Sequence, residues 1–196
     1  TAPLPLNYYA NHHDLDGDGL DELLVQPSIT ELDIYHNYGG GNFSPGPVIT
    51  TDHYLGSWAD MNNDGVQDEI CAELAGDSLH YTFSTISLTG ITPPTEILSV
   101  PTPGFGIDVH ALDLDGDGDE DIILSRGTSN YVSDLYPYLN QGSYPLSQGE
   151  LIYHDSPAYV PLDADGDGDL DLVVSEGASF FLLRDRLKFL APPEPV

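Results

Sequence analysis

The chain has almost no positive charge. Four of its 196 residues are Lys or Arg, against 33 Asp or Glu, for a formal net charge of −29. Nucleic acid and anionic membrane surfaces recruit proteins through basic patches, so this composition excludes both as partners. Cysteine is nearly absent: Cys71 stands alone, and no disulfide can form within the chain. It lies in an apolar stretch, where a single cysteine reads as a small buried hydrophobe. No run of 18 apolar residues occurs, so no inserted membrane helix is expected. Also missing are helical periodicity, a Ser-His-Asp order, zinc-type spacing of Cys and His, and a glycine-rich phosphate loop. An enzyme is therefore not expected.

What is present is one segment used four times. The copies are Asp14-Leu-Asp-Gly-Asp-Gly-Leu-Asp-Glu22, Asp60-Met-Asn-Asn-Asp-Gly-Val-Gln-Asp68, Asp113-Leu-Asp-Gly-Asp-Gly-Asp-Glu-Asp121 and Asp163-Ala-Asp-Gly-Asp-Gly-Asp-Leu-Asp171. They start 46, 53 and 50 residues apart, a period that signals a repeat architecture. Oxygen side chains occupy four positions of each copy. Position 1 is Asp14, Asp60, Asp113 and Asp163; position 3 is Asp16, Asn62, Asp115 and Asp165. Position 5 is Asp18, Asp64, Asp117 and Asp167; position 9 is Glu22, Asp68, Asp121 and Asp171. These four positions supply 15 of the 33 acids.

Alternating carboxylates in a loop of this length can wrap one hard cation, and calcium accepts six to eight oxygens in flexible geometry. Glycine at position 6 (Gly19, Gly65, Gly118, Gly168) permits the turn that returns position 9 to the ion. Position 7 offers its backbone carbonyl, which leaves the side chains of Leu20, Val66, Asp119 and Asp169 free to vary. An EF-hand needs a bidentate Glu at position 12, and here that position holds Val25, Cys71, Leu124 and Val174. Magnesium rarely sits in all-protein cages, and zinc wants His or Cys. A solvated Asp/Gly turn explains one copy, but hardly four copies in one register. The expectation is four Ca²⁺ sites. The weakest is the second, where Asn62 replaces a charged ligand.

After each loop comes a short apolar run, which reads as a buried strand. Each period then divides into four strands. The first period gives 7–12, 22–26, 31–38 and 43–51; the second gives 54–59, 69–74, 79–88 and 96–100. The third gives 106–112, 121–126, 131–140 and 144–153; the fourth gives 158–162, 171–176, 179–184 and 187–190. Recurring four-stranded antiparallel units of about 50 residues are the mark of a β-propeller blade. The expected fold is all-β: one propeller domain over residues 1–196, with blades near 1–51, 52–101, 102–154 and 155–196.

The loop motif, the apolar strand after it and the segment Tyr35-His-Asn-Tyr-Gly-Gly-Gly-Asn-Phe43 together resemble the FG-GAP/VCBS repeat family, whose calcium-binding blades also occur in integrin α-subunit propellers. In that family the calcium loop joins the first and second strands. The resemblance implies that Asp14, Asp16, Asp18 and Glu22, with their equivalents, ligate the metal. Family propellers usually have seven blades, and this chain has four. A closed four-bladed monomer is favoured over a dimer of part-rings, because an open ring exposes apolar blade faces.

The functional expectation is a binding or adhesion module with structural calcium, directed at a glycan or protein ligand. Loops of low calcium affinity work where calcium is millimolar, which places the protein outside the cell or on its surface. A start at Thr1 without Met fits a mature or trimmed product. Tyr38, Tyr54, Trp58, Tyr131 and Tyr144 are candidates for stacking on sugars, although blade aromatics usually pack in the core. A structural spacer is the alternative. A polysaccharide-active enzyme is a weaker one, resting on His12, His13 and His110 beside nearby carboxylates.

Overall fold

The computed structural model describes residues 9–53, 56–101, 109–129, 132–156, 158–166, 170–176 and 179–183. Every regular element among them is a strand. The chain divides into two compact units, residues 1–99 and 100–196, and each unit holds two antiparallel sheets.

In the first unit, one sheet runs in the order β1 (Tyr9–His13), β2 (Glu22–Ser28), β3 (Glu31–Asn37) and β4 (Phe43–Ile49). The other runs β5 (Ser57–Ala59), β6 (Asp68–Ala75), β7 (Ser78–Ser87) and β8 (Gly90–Ile91), with β9 (Thr95–Pro101) also pairing β7. In the second unit, one sheet runs β10 (Val109–Leu112), β11 (Asp121–Ser129), β12 (Val132–Leu139) and β13 (Ser147–Gln148), with β14 (Tyr153–Ser156) also on β12. The last sheet is β15 (Tyr159–Leu162), β16 (Asp171–Glu176) and β17 (Ser179–Leu183). The all-β expectation holds, with one sheet for each sequence period, and none of the sheets closes on itself.

Four strands in every sheet were expected; among the described residues the sheets have four, five, five and three. The expected strand 187–190 lies outside them. The extra strands arise where an outer strand breaks. Residues 144–153 were read as one strand, but β13 and β14 replace it. Tyr138 pairs Gln148 and Leu135 pairs Tyr153, so the outer chain advances further than the strand it follows. Pro137 lies between those partners. Its carbonyl accepts the Gly149 N–H at 2.9 Å, but proline has no N–H to return the bond. In the second sheet the prolines lie in the outer segment itself, Pro93 and Pro94 between β8 and β9.

Each unit buries an apolar cluster drawn from both of its sheets. In the first unit Leu15, Leu24, Leu32, Ile34 and Ile49 meet Ile86, with Trp58, Leu88 and Ile91 packed around them. In the second, Leu114, Ile123 and Leu135 meet Tyr159, Leu172 and Val174. Tyr159 is a polar-tipped member of this core, and its hydroxyl donates to the Ile123 carbonyl at 3.0 Å.

Candidate metal centre

The four acidic loops join β1 to β2, β5 to β6, β10 to β11 and β15 to β16, and all close in one register. The residue before position 1 pairs with position 9 every time: His13 with Glu22, Ala59 with Asp68, Leu112 with Asp121 and Leu162 with Asp171. Position 2 anchors three of the loops by burying an apolar side chain: Leu15 is 7% exposed, Met61 1% and Leu114 6%. Ala164, at the same place in the fourth loop, is exposed.

Inside each loop the acids bind the loop's own amides. The Asp14 carboxylate accepts the Gly17 N–H at 2.8 Å and the Gly19 N–H at 2.9 Å. Asp113 accepts Gly116 at 2.7 Å and Gly118 at 3.1 Å; Asp60 accepts Asp64 at 3.0 Å and Gly65 at 2.8 Å. Asp163 accepts Gly166 at 2.7 Å. One oxygen at position 3 accepts the amide of position 5: Asp16 from Asp18 at 3.2 Å, Asn62 from Asp64 at 3.0 Å and Asp115 from Asp117 at 3.2 Å. Position 5 accepts from position 7: Asp18 from Leu20, Asp64 from Val66 and Asp117 from Asp119. These contacts fix each side chain and leave it further lone pairs. The Gly19 amide is the main reason that the Asp14 carboxyl titrates below its usual range.

Two residues of the loop, not one, adopt left-handed backbone. Position 6 does so at Gly19, Gly65 and Gly118, as the sequence implied. Position 4 does so too, at Gly17, Gly116 and Gly166, and at Asn63 with φ 58°. Asparagine tolerates this region better than other residues with a Cβ, which accounts for the second loop.

Position 9 lies at the base of each loop and is buried: Glu22, Asp68 and Asp121 are 0% exposed and Asp171 is 3%. The amide of position 2 donates to this carboxylate in three loops, Leu15 to Glu22 at 2.9 Å, Leu114 to Asp121 at 2.9 Å and Ala164 to Asp171 at 3.2 Å. An asparagine at the end of the third strand binds it from the other side. Asn37 N–H donates to Glu22 at 3.3 Å and Asn140 N–H to Asp121 at 2.7 Å. The same asparagines donate Nδ2 to the carbonyls of Asp21 and Glu120, and accept the amides of Gly39 and Gly142. In the second loop Thr85 Oγ1 donates to Asp68 Oδ1, a Met61 backbone hydrogen bond also acts on this carboxylate, and Asp68 Oδ2 is buried with no hydrogen-bond partner.

Donor atoms of Asp113, Asp115 and Asp121 all lie within 4.8 Å of one another, as do those of Asp14, Asp16 and Asp18. Burial pushes the Asp121 carboxyl up to about 7, and the charges of Asp115 and Asp117 add to the shift. Burial also raises Asp68 and Asp115, each next to further loop carboxylates. Leu20 and Val66 point outward, 36% and 37% exposed, and Asp119 is half-buried. Asp165 is exposed, while Asp167 and Asp169 lie outside the described residues.

A family model described as FG-GAP-like repeat matches residues 14–71, from the first loop through the strand after the second. This stretch is similar to an FG-GAP-like repeat. No curated protein matches the chain. The third and fourth loops lie beyond the FG-GAP-like match and share its pairing register.

The histidines singled out from sequence take separate places. His12 Nδ1 stands 2.6 Å from Asp21 Oδ2, with both side chains exposed. His13 stacks on Trp58 with ring centroids 3.9 Å apart, and burial lowers its pKa. His110 meets Tyr159 edge-on at 4.8 Å. Tyr38 is 65% exposed and Tyr144 half-buried; Tyr54 and Tyr131 lie outside the described residues.

One group was not singled out from sequence. A cavity of about 640 Å³ in the first unit is lined by Thr51, Asp52, His53, Cys71, Glu73 and Thr82, among others. Cys71 is partly exposed there and not buried as expected, because its side of β6 faces this cavity; its Sγ lies 3.2 Å from Thr82 Oγ1. His53 Nδ1 is 2.8 Å from Asp52, and Nε2 is 3.1 Å from the fully buried Glu69 side chain. Hydrogen bonding to Cys71 first and Glu69 second pushes the His53 pKa up to about 11, against the effect of burial.

Two outcomes follow. Gly116→Ala has open space for its methyl at φ +79°, so its cost is conformational, roughly 1–2 kcal/mol in chemical denaturation. Asn63→Gly, at the same loop position, leaves stability unchanged or improves it. His53 carries a raised pKa, so its contribution is full below pH 6.5 and is lost as pH rises through about 11. The melting temperature therefore falls between pH 7 and 10. His53→Gln flattens that slope and lowers the value at pH 7, because Glu69 loses its cationic partner.

Proposed function

We propose that the chain is a calcium-stabilised β-propeller module that presents a surface to a glycan or protein partner outside the cell. The observation that carries this reading is the convergence of Asp113, Asp115 and the buried Asp121 on one point, with Asp14, Asp16 and Asp18 converging in the first loop. The donor set suits calcium, because these three residues offer only oxygen. An orphaned oxygen is a second sign of fit: Asp68 Oδ2 is buried without a hydrogen-bond partner. A third is the Asp121 carboxyl, which keeps its proton to about pH 7 in this environment. A cation there replaces the proton and removes the repulsion among neighbouring acids.

The propeller reading draws on the FG-GAP-like match, on one sheet per period, and on the core that each unit buries between consecutive sheets. A closed four-bladed monomer completes it. Asp14, Asp16, Asp18 and Glu22, with the corresponding residues of the other loops, hold four Ca²⁺ ions. Their role is to rigidify the loops and not to catalyse. Tyr38, exposed at the end of β3 beside the first loop, is the aromatic best placed to meet a ligand.

Calcium should raise the melting temperature of chelator-treated protein. A ligand that binds only the folded state adds roughly 2.7 kcal/mol per site at ~100 times its dissociation constant. Asp117→Ala should reduce this gain more than Asn62→Ala, since it deletes a charged ligand. A melting temperature indifferent to excess EDTA overturns the metal assignment. The partner is tested on a glycan array in millimolar calcium and again in EDTA. Calcium-dependent retention of one sugar class is the expected result; a blank array from folded protein overturns the glycan arm.

A further inference from the structure

We infer that the first loop carries a second cation position, formed by Asp16, Glu22 and His36, that selects a borderline divalent ion such as Zn²⁺ over Ca²⁺. His36 lies on β3, outside the loop. Its Nδ1 stands 3.2 Å from Glu22 Oε1 and 3.5 Å from Asp16 Oδ2, and the donor atoms of all three lie within 4.8 Å of one another. That nitrogen is buried and makes no hydrogen bond.

The surroundings hold the three groups in place. The Glu22 side chain is 0% exposed and receives the Leu15 and Asn37 amides. The His36 ring meets Tyr38 edge-on, with centroids 4.3 Å apart. Zinc binds imidazole nitrogen and carboxylate oxygen at about 2.0–2.2 Å in a tetrahedron, which sets its ligands about 3.3–3.6 Å apart. The two N···O separations fall close to that edge length. Three protein donors leave a fourth position for water. Imidazole favours zinc and its neighbours, whereas calcium prefers oxygen alone.

The third loop gives an internal comparison. Asn140 donates to Asp121 as Asn37 does to Glu22, so the residue corresponding to His36 is Leu139, which offers no donor. There the position-9 carboxylate converges with Asp113 and Asp115, an all-oxygen set. The nitrogen is thus a property of the first loop as compared with the third.

The inference rests on the cation-loop reading, because Asp16 and Glu22 serve in both, and the test keeps the two apart. Zn²⁺ is titrated calorimetrically into the whole chain, first with saturating Ca²⁺ and then without it. The expected result is one strong site that survives calcium and is weakened about 10-fold or more by His36→Gln. The calcium-linked gain in melting temperature should persist in that variant, and His12→Gln should leave the strong site intact. Equal Zn²⁺ affinity in wild type and His36→Gln overturns the inference and leaves His36 as an ion-pair partner of Glu22. Should His36→Gln not fold, imidazole ¹⁵N spectra of the wild type decide: Zn²⁺ must shift His36 Nδ1, and an unmoved resonance overturns the assignment. Loss of the calcium effect with retention of the Zn²⁺ site removes the calcium reading alone.

Discussion

The buried carboxylate at position 9 ties together the loop, the second strand and the third strand of its sheet. Glu22 takes an amide from Leu15 in the loop and another from Asn37 at the end of β3, and Asp121 does the same with Leu114 and Asn140. A carboxylate with no exposed surface is costly unless its lone pairs are filled by donors or cations. Here the donors are backbone amides whose positions depend on the correct hairpin register. A one-residue slip between the first two strands removes the carboxylate from both. The acid therefore makes strand register and loop conformation conditional on each other.

Local features of this arrangement could be read from sequence. The oxygen positions, the glycine at position 6 and the apolar strand after each loop are set by neighbours a few residues away. Among the described residues a strand follows each loop, with one sheet per period. Position 4 escaped because Asn63 hides a left-handed requirement that Gly17 and Gly116 could have shown together. Asn37 and Asn140 escaped because their partners lie 15 and 19 residues away. The repeated Asn-x-Gly in Asn37-Tyr-Gly39 and Asn140-Gln-Gly142 was a usable signal.

Other misses have a different origin. The outer strand of the third sheet was read as continuous across Pro145 and Gly149. What breaks it is Pro137 on the neighbouring strand, a missing donor that local propensity cannot register. His53 and Cys71 are 18 positions apart in sequence but line one cavity, since β6 and the segment before β5 border the same space. Read along the chain, Cys71 is an apolar strand residue. Read across it, the thiol meets a histidine already held between two carboxylates.

The repeats also differ in a way that follows from one methylene. At position 9 the third loop has Asp and the first has Glu. The short Asp121 stays with positions 1 and 3, and its oxygens converge with Asp113 and Asp115. The longer Glu22 converges with Asp16 and His36, while Asp14, Asp16 and Asp18 form another set that shares Asp16. A shared backbone register therefore does not make the loops chemically equivalent. Side-chain length moves the point where the donors meet, and the third strand then decides whether oxygen alone or oxygen with nitrogen is found there. In a chain with four copies of one loop, this lets a single position diversify the donor set without disturbing the sheet that carries it.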